Sequence, residues 1–145
     1  MQVDFYQLSR DPVEKVVPLL ASKVRGTGGR LLVVSQDDAQ LALISRALWE
    51  DRPHEFLANG KGGDKHSARQ PILLSHVCEA ENGARFVLFA DGVWRDEGLG
   101  FDRAFLMFGQ DTIDDARACW RGLDAREGVD RRYWAFEDGG WLQKA

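Results

Sequence analysis

Residues 101–128 read FDRAFLMFGQDTIDDARACWRGLDAREG, and this stretch decides the fold. Its first part, Phe101–Phe108, ends in a run of apolar residues without alternation, the pattern of a strand covered on both faces in a largely parallel sheet. Gly109 breaks the strand, and Thr112 with Asp115 three residues later resembles a capping box at the start of a helix. The stretch therefore predicts one buried strand that leads into one amphipathic helix, with the functional site at their join.

The predicted helix, which we expect to end near Gly128, carries an apolar stripe with two arginines along one edge. At about 100° per residue, the stripe consists of Ile113, Ala116, Trp120 and Leu123. Arg117 and Arg121 lie four residues apart on its border, where they could bind a short peptide with an acidic, hydrophobic end. The alternative is an ordinary core stripe whose arginine edge is neutralised by acidic residues three positions away, Asp114 and Asp124.

Apolar runs in the rest of the chain predict further strands and helices. We expect strands at Val3–Leu8, Arg30–Ser35, Pro71–Val77 and Arg85–Ala90, and helices that start after Asp11–Pro12 and at Asp37 or Asp38. Residues 57–70, rich in Gly and Lys, predict a mobile loop, and residues 132–145 predict a C-terminal hairpin or an extended tail. The alternation of strands and helices predicts a single domain over residues 1–145: a three-layer, Rossmann-like α/β fold with a largely parallel (mixed) central sheet.

Composition narrows the classes of function. The chain has 145 residues, 44% hydrophobic and 29% charged, as is usual for one globular domain. A net charge of −4 and a pI of about 5.4 disfavour direct binding to nucleic-acid phosphates. Cys78 and Cys119 have no metal-ligand spacing, which fits small core residues in a reducing compartment. Because we find neither a membrane-length apolar run nor a signal peptide, we expect a cytoplasmic protein.

No motif for catalysis or cofactor binding is complete. The Gly-rich runs at 26–29 and 60–63 lack the context of a phosphate-binding loop, and the three histidines are not at ligand spacing. Ser35 ends a predicted strand, where a nucleophile could lie, but its acidic neighbours favour helix capping. Asp91 follows an apolar strand, as the magnesium-binding Asp of nucleotide hydrolases does, so a nucleotide-dependent hydrolase is the alternative function. We expect no catalytic residue, no metal and no cofactor.

Several features occur in order along the chain. They are Phe5-Tyr6, the strand LLVVS with the following QDDAQLALISRALWEDRPHEF, the strand FDRAFLMF, and DARACWRGLDAREG followed by Tyr133-Trp134. The most specific feature is Ala47-Leu48-Trp49, followed by Pro53 and then Phe56. Taken together, over nearly the whole chain, these features resemble the chi subunit of the bacterial DNA polymerase III holoenzyme, a part of the clamp-loader assembly.

The resemblance implies a non-catalytic adaptor with a Rossmann-like fold. Such an adaptor binds the acidic C-terminal tail of single-stranded-DNA-binding protein and couples it to the clamp loader, so that nucleic acid is contacted only indirectly. Carried over by position, the tail pocket contains Phe108, Arg117, Trp120 and Arg121, the same border that the helix geometry singles out. A second partner surface, for the psi subunit or another clamp-loader protein, contains Trp49, Pro53 and Phe56.

Overall fold

The computed structural model describes residues 1–9, 11–137 and 140–145, which form one eight-stranded sheet and three α-helices. The strands are β1 (Gln2–Gln7), β2 (Leu31–Val34), β3 (Asn59–Lys61), β4 (Ile72–Ser75), β5 (Phe86–Phe89), β6 (Arg103–Phe108), β7 (Asp130–Glu137) and β8 (Gly140–Gln143). The helices are α1 (Val13–Gly26), α2 (Asp38–Glu50) and α3 (Ile113–Asp124). The strand order is β3-β4-β2-β5-β6-β1-β7-β8, and every neighbouring pair is parallel except β7 and β8.

The helices cover both faces of the sheet, which confirms the predicted three-layer α/β fold. Successive side chains of a strand point to opposite faces. Leu31 and Val33 of β2 accordingly pack with α1 and α2, whereas Leu32 and Val34 pack on the other face with α3. Strands buried on both sides need apolar residues at every position, which explains the unbroken apolar runs in the sequence.

The helix starts differ in how their backbone N–H groups are satisfied. Asp37 caps α2, and its carboxylate accepts hydrogen bonds from the N–H groups of Ala39 and Gln40. Thr112 is the N-cap residue of α3, as predicted, but its side chain makes no capping hydrogen bond to the helix, so the predicted capping box does not form; Thr112 also ends a short 3-10 turn, Gln110–Thr112. Its hydroxyl instead accepts a hydrogen bond from the N–H of Gly109 at 3.1 Å. The Thr112 side chain therefore closes the strand-to-helix turn.

The prediction of a loop throughout residues 57–70 was wrong for its first part. Asn59–Lys61 forms the edge strand β3, which pairs in parallel with β4. A sequence of Asn, Gly and Lys has no apolar pattern, so this strand exists only through tertiary contacts. Ser45 of α2 donates a hydrogen bond to the buried Asn59 side chain, and a Cβ on Gly60 would lie 2.8 Å from the Gln70 side chain.

Two alternatives were predicted for the C-terminal region, a hairpin and an extended tail, and the structure has the hairpin. Strands β7 and β8 pair antiparallel, with Trp134 opposite Gln143 and Phe136 opposite Trp141. The predicted strands flank Glu137-Asp138; Asp138 and the following Gly139 lie outside the described residues. The parallel pairing of β7 with β1 makes the hairpin part of the sheet.

The described part of the chain contains neither a candidate membrane span nor a candidate metal site. None of its helices is both long and apolar enough to span a bilayer. Within the same residues, no three His, Cys, Asp or Glu side chains come together as a metal site would require.

Candidate functional site

The connection from β6 to α3 forms the frame of the candidate site. Phe108 ends β6, the turn at Gly109 reverses the chain, and α3 then crosses β1 to reach β7. Because β1 lies between β6 and β7, the side chain of Phe5 from β1 lies beneath the helix. The stripe predicted for the helix faces the sheet, with Ala116 and Leu123 buried and Trp120 half-buried.

A pocket of about 340 Å³ lies between α3 and the strands β1, β6 and β7. This volume is at the lower end of the range for ligand sites and suits one or two amino-acid side chains. The predicted residues are all in its lining, which consists of Phe5, Phe108, Ala116, Arg117, Trp120, Arg121, Tyr133 and Ala145. The fold thus brings the four predicted residues around one cavity.

Aromatic rings form the apolar part of this pocket. The ring of Trp120 packs edge-on against Phe5, with centroids 5.1 Å apart and planes at 74°. Tyr133 contacts Trp120 at 6.1 Å and Phe108 at 5.7 Å. The two Trp120 contacts are edge-to-face and the Phe108 contact is tilted, and aromatic contacts at these distances stabilise ring positions. The apolar slot is therefore built before any ligand arrives.

Arg117 and Arg121 supply positive charge to the pocket. The Arg117 side chain is 63% exposed, and within the described residues its one ion-pair partner is Asp114, at 3.9 Å, the distance of a weak surface pair. The pairing of Arg121 with Asp124 expected in the alternative interpretation does not form, because Asp124 binds Arg131 at 2.6 Å. Among the residues that the structure describes, no carboxylate forms an ion pair with Arg121. Both guanidinium groups can therefore turn towards an anionic ligand.

Sequence reasoning did not assign Phe5 and Tyr133 to this site, although both are in features that carried the family resemblance. The Tyr133 hydroxyl donates a hydrogen bond to the Gln7 side chain, in a part-buried position. Burial raises the pKa of Tyr133, while the charge of Arg117 opposes this shift. In the sequence, the only signal for Phe5 is the alternation of side chains in the first strand. Its contact with Trp120 could not be predicted, because it depends on the crossover of α3.

The chain matches a known protein family over most of its length. Residues 1–129 match the family model described as DNA polymerase III chi subunit, HolC. The chain belongs to the DNA polymerase III chi subunit family. A search of curated proteins finds no match. Membership of the chi family gives the chain an accessory role in DNA polymerase III and implies a partner within the polymerase complex. The matched residues include β1, β6 and α3 of the pocket, whereas Tyr133 and Ala145 lie beyond them.

The second predicted surface of this chi-family protein lies away from the pocket, at the end of α2. The Trp49 side chain is 50% exposed, Phe56 is 80% exposed, and Pro53 starts an exposed 3-10 turn between them. Phe56 has a φ of 51°, in the left-handed region that non-glycine residues rarely adopt. The Phe56 ring belongs to neither of the two clusters of buried apolar residues in the described part of the chain.

The residues considered for catalysis have structural partners instead. Both carboxylate oxygens of Asp91 accept hydrogen bonds from Arg95, at 2.9 and 2.8 Å, and the N–H groups of Gln36 and Val93 add two more. Burial would raise the pKa of Asp91, but these bonds bring it below its usual value. The hydroxyl of Ser35 accepts the N–H of Asp37 and donates to the side-chain oxygen of Gln40, while the residue that caps α2 is Asp37. A carboxylate already neutralised by Arg95 is poorly suited to hold magnesium.

Proposed function

We propose that this chi-family protein is a non-catalytic adaptor of DNA polymerase III that binds the acidic C-terminal tail of single-stranded-DNA-binding protein. The observation that supports this proposal is a single pocket in which an aromatic slot lies beside two arginines. In the family picture the tail ends in acidic residues and a C-terminal Phe. The slot suits the ring of that Phe, and the arginines suit its carboxylates. The role places the protein in the cytoplasm with the replication machinery.

The strength of such an interaction follows from its size. A pocket of about 340 Å³ takes little more than the terminal residue, so the proposed affinity is roughly micromolar, about −8 kcal/mol. The aromatic slot supplies the apolar part of this free energy. The arginines are exposed, so their attraction is screened by salt and the affinity should fall as ionic strength rises.

The test is a calorimetric titration with a synthetic tail peptide, which has acidic residues before a C-terminal Phe. We expect Arg117→Ala and Arg121→Ala each to weaken binding about tenfold, equivalent to about 1.4 kcal/mol, and to reduce its dependence on salt. Arg46→Ala is the matched control, because it removes the same charge from an exposed position on α2, in the opposite layer. Equal affinities for Arg117→Ala, Arg121→Ala and the parent would contradict the proposal, as would the absence of binding to the parent.

We also propose that Trp49, Pro53 and Phe56 form the contact to the psi subunit or another clamp-loader protein. Exposed aromatic residues are enriched among the residues that dominate protein interfaces. These three lie at the end of α2 and in the turn after it, whereas the tail pocket is formed by α3 on the other face of the sheet. Separate surfaces would let the protein hold both partners at once, which is what an adaptor requires.

A further inference from the structure

We infer that Arg131 is a positioning residue for the tail pocket: it holds the Trp120 wall in place and keeps Asp124 away from Arg121. This inference rests on the proposed function, since it assigns a role in that same site. Arg131 lies on β7, and it is not among the residues that line the pocket. It can therefore shape the pocket only through the residues that it contacts.

Arg131 contacts α3 in three ways. The central carbon of its guanidinium lies 4.3 Å from the centroid of the Trp120 ring, as in a cation–π contact. Its Nη1 donates a hydrogen bond to the backbone carbonyl of Trp120 at 2.6 Å, and its Nη2 donates to Asp124 at 2.6 Å. The side chain is only 20% exposed. One planar group thus restrains both the ring and the backbone of Trp120.

The contact with the ring affects the cost of binding. Ordering a side chain when a ligand binds opposes the association, and a ring that is already ordered avoids that cost. Phe5 and Tyr133 contact the Trp120 ring edge-on, whereas Arg131 lies over it. Without Arg131 the indole would keep its edge contacts but lose the contact over its ring, so the ring would be less fully ordered before the ligand binds.

The contact with Asp124 affects the charge of the pocket. Asp124 lies three residues after Arg121 on α3, a spacing at which opposite charges pair. In the structure Asp124 binds Arg131 instead, which leaves Arg121 without that competitor. If Arg131 is removed, Asp124 becomes available to Arg121, and the tail has to displace it.

The experiment compares Arg131→Met with Arg132→Met in the full chain. Met keeps an apolar stem but has no charge. Arg132 is the matched control because it is the next residue of the same strand, on the other face of the sheet, and its one ion-pair partner among the described residues is the exposed Asp130 at 3.4 Å. With the tail peptide as the ligand, we expect Arg131→Met to weaken binding about three- to tenfold, and Arg132→Met to change it less than twofold. Arg131→Lys should give an intermediate value, because an ammonium group lacks the planar fork of the guanidinium.

Two further variants separate positioning from general damage to the fold. In a Trp120→Ala background there is no indole ring to position, so Arg131→Met should weaken peptide binding less than it does in the parent. In the Arg131→Met background, Asp124→Asn should restore part of the lost affinity, because the competing carboxylate is gone. A merely structural role would produce neither the dependence on Trp120 nor the rescue by Asp124→Asn.

A measurement on the free protein decides the inference even if the tail peptide does not bind to the parent. The heteronuclear relaxation of the Trp120 indole N–H should show a more mobile ring in Arg131→Met than in the parent or in Arg132→Met. An unchanged Trp120 signal in a folded Arg131→Met protein would overturn the inference. So would equal peptide affinities for Arg131→Met and Arg132→Met. Failure of the parent to bind the peptide would count against the proposed function alone.

Discussion

Replacing Phe56 by Ala tests whether this residue serves a partner or the fold. Phe56 follows the 3-10 turn after α2, with its ring 80% exposed. If the ring belongs to a second interface, its removal should weaken binding to the clamp-loader partner and leave the folding of the isolated protein almost unchanged.

The expected magnitude follows from the exposure of the ring. Truncation of a fully buried Phe costs roughly 3–5 kcal/mol, so a ring that is four-fifths exposed should contribute less than about 1 kcal/mol. The backbone gives a second, opposite prediction, because φ at Phe56 is 51°. Phe56→Gly should remove a left-handed cost of roughly 1–2 kcal/mol and lose roughly 0.5–1 kcal/mol to the greater freedom of the unfolded chain. These two backbone terms should therefore give a net stabilisation of up to about 1.5 kcal/mol, before the small loss of the ring is counted.

Urea denaturation followed by tryptophan fluorescence measures these changes, and surface plasmon resonance with purified psi subunit measures partner binding. Phe89→Ala provides the contrast, since Phe89 is fully buried in β5 and should lose roughly 3–5 kcal/mol. A loss of that size for Phe56→Ala would refute the reasoning and make Phe56 a part of the core. Undiminished psi binding by a stable Phe56→Ala protein would remove the proposed interface.

Three other predictions concern the framework of the site. Arg103→Ala should lower the free energy of unfolding by about 3 kcal/mol, because it leaves the fully buried carboxylate of Asp4 without its cation. The control, Arg85→Ala, breaks an exposed ion pair and should lower it by less than about 1 kcal/mol in the same denaturation assay. Gly122→Ala should add roughly 0.5–1 kcal/mol to the free energy of unfolding and so raise the midpoint of thermal unfolding, because a Cβ at this exposed position of α3 meets no atom within 4 Å. A lower midpoint would contradict this. Because the pKa of Asp91 is lowered in the folded protein, its carboxylate stabilises the fold fully above the ordinary Asp pKa, and this stabilisation is lost as the pH falls through the lowered pKa. As the pH falls below about 4, the free energy of unfolding of Asp91→Asn should therefore decrease less than that of the parent. Parallel curves of unfolding free energy against pH would show that this carboxylate contributes nothing.

Much of the architecture could be predicted because the buried strands and the helix stripe obey simple periodicities. The unbroken apolar run from Ala104 to Phe108 indicates burial on both faces, and the spacing of Ala116, Trp120 and Leu123 indicates which side of α3 faces the sheet. These are local properties of the chain. The same helical spacing predicts that Arg117 and Arg121 lie together along one edge of the apolar stripe of α3.

The features that sequence reasoning missed depend on contacts between distant parts of the chain. Strand β3 has no apolar pattern and forms only because β4 offers it an edge. Tyr133 joins the pocket because β7 pairs with β1, and this position follows from the order of strands in the sheet. The partner of Asp124 was predicted from helix spacing, but Arg131 on a neighbouring strand binds it instead. Spacing along one helix could not show a competitor from another element.

The most direct test of the account is an NMR titration of the free protein with the tail peptide, followed through the tryptophan indole N–H signals. The chain has 5 tryptophans, and of these Trp120 lines the pocket whereas Trp49 lies on the second surface. Assignment of the Trp120 signal by its loss in Trp120→Phe makes the result unambiguous. The account predicts that the Trp120 signal shifts progressively with peptide while the Trp49 signal stays in place. A static Trp120 signal at saturating peptide, or a shift confined to Trp49, would contradict the central claim.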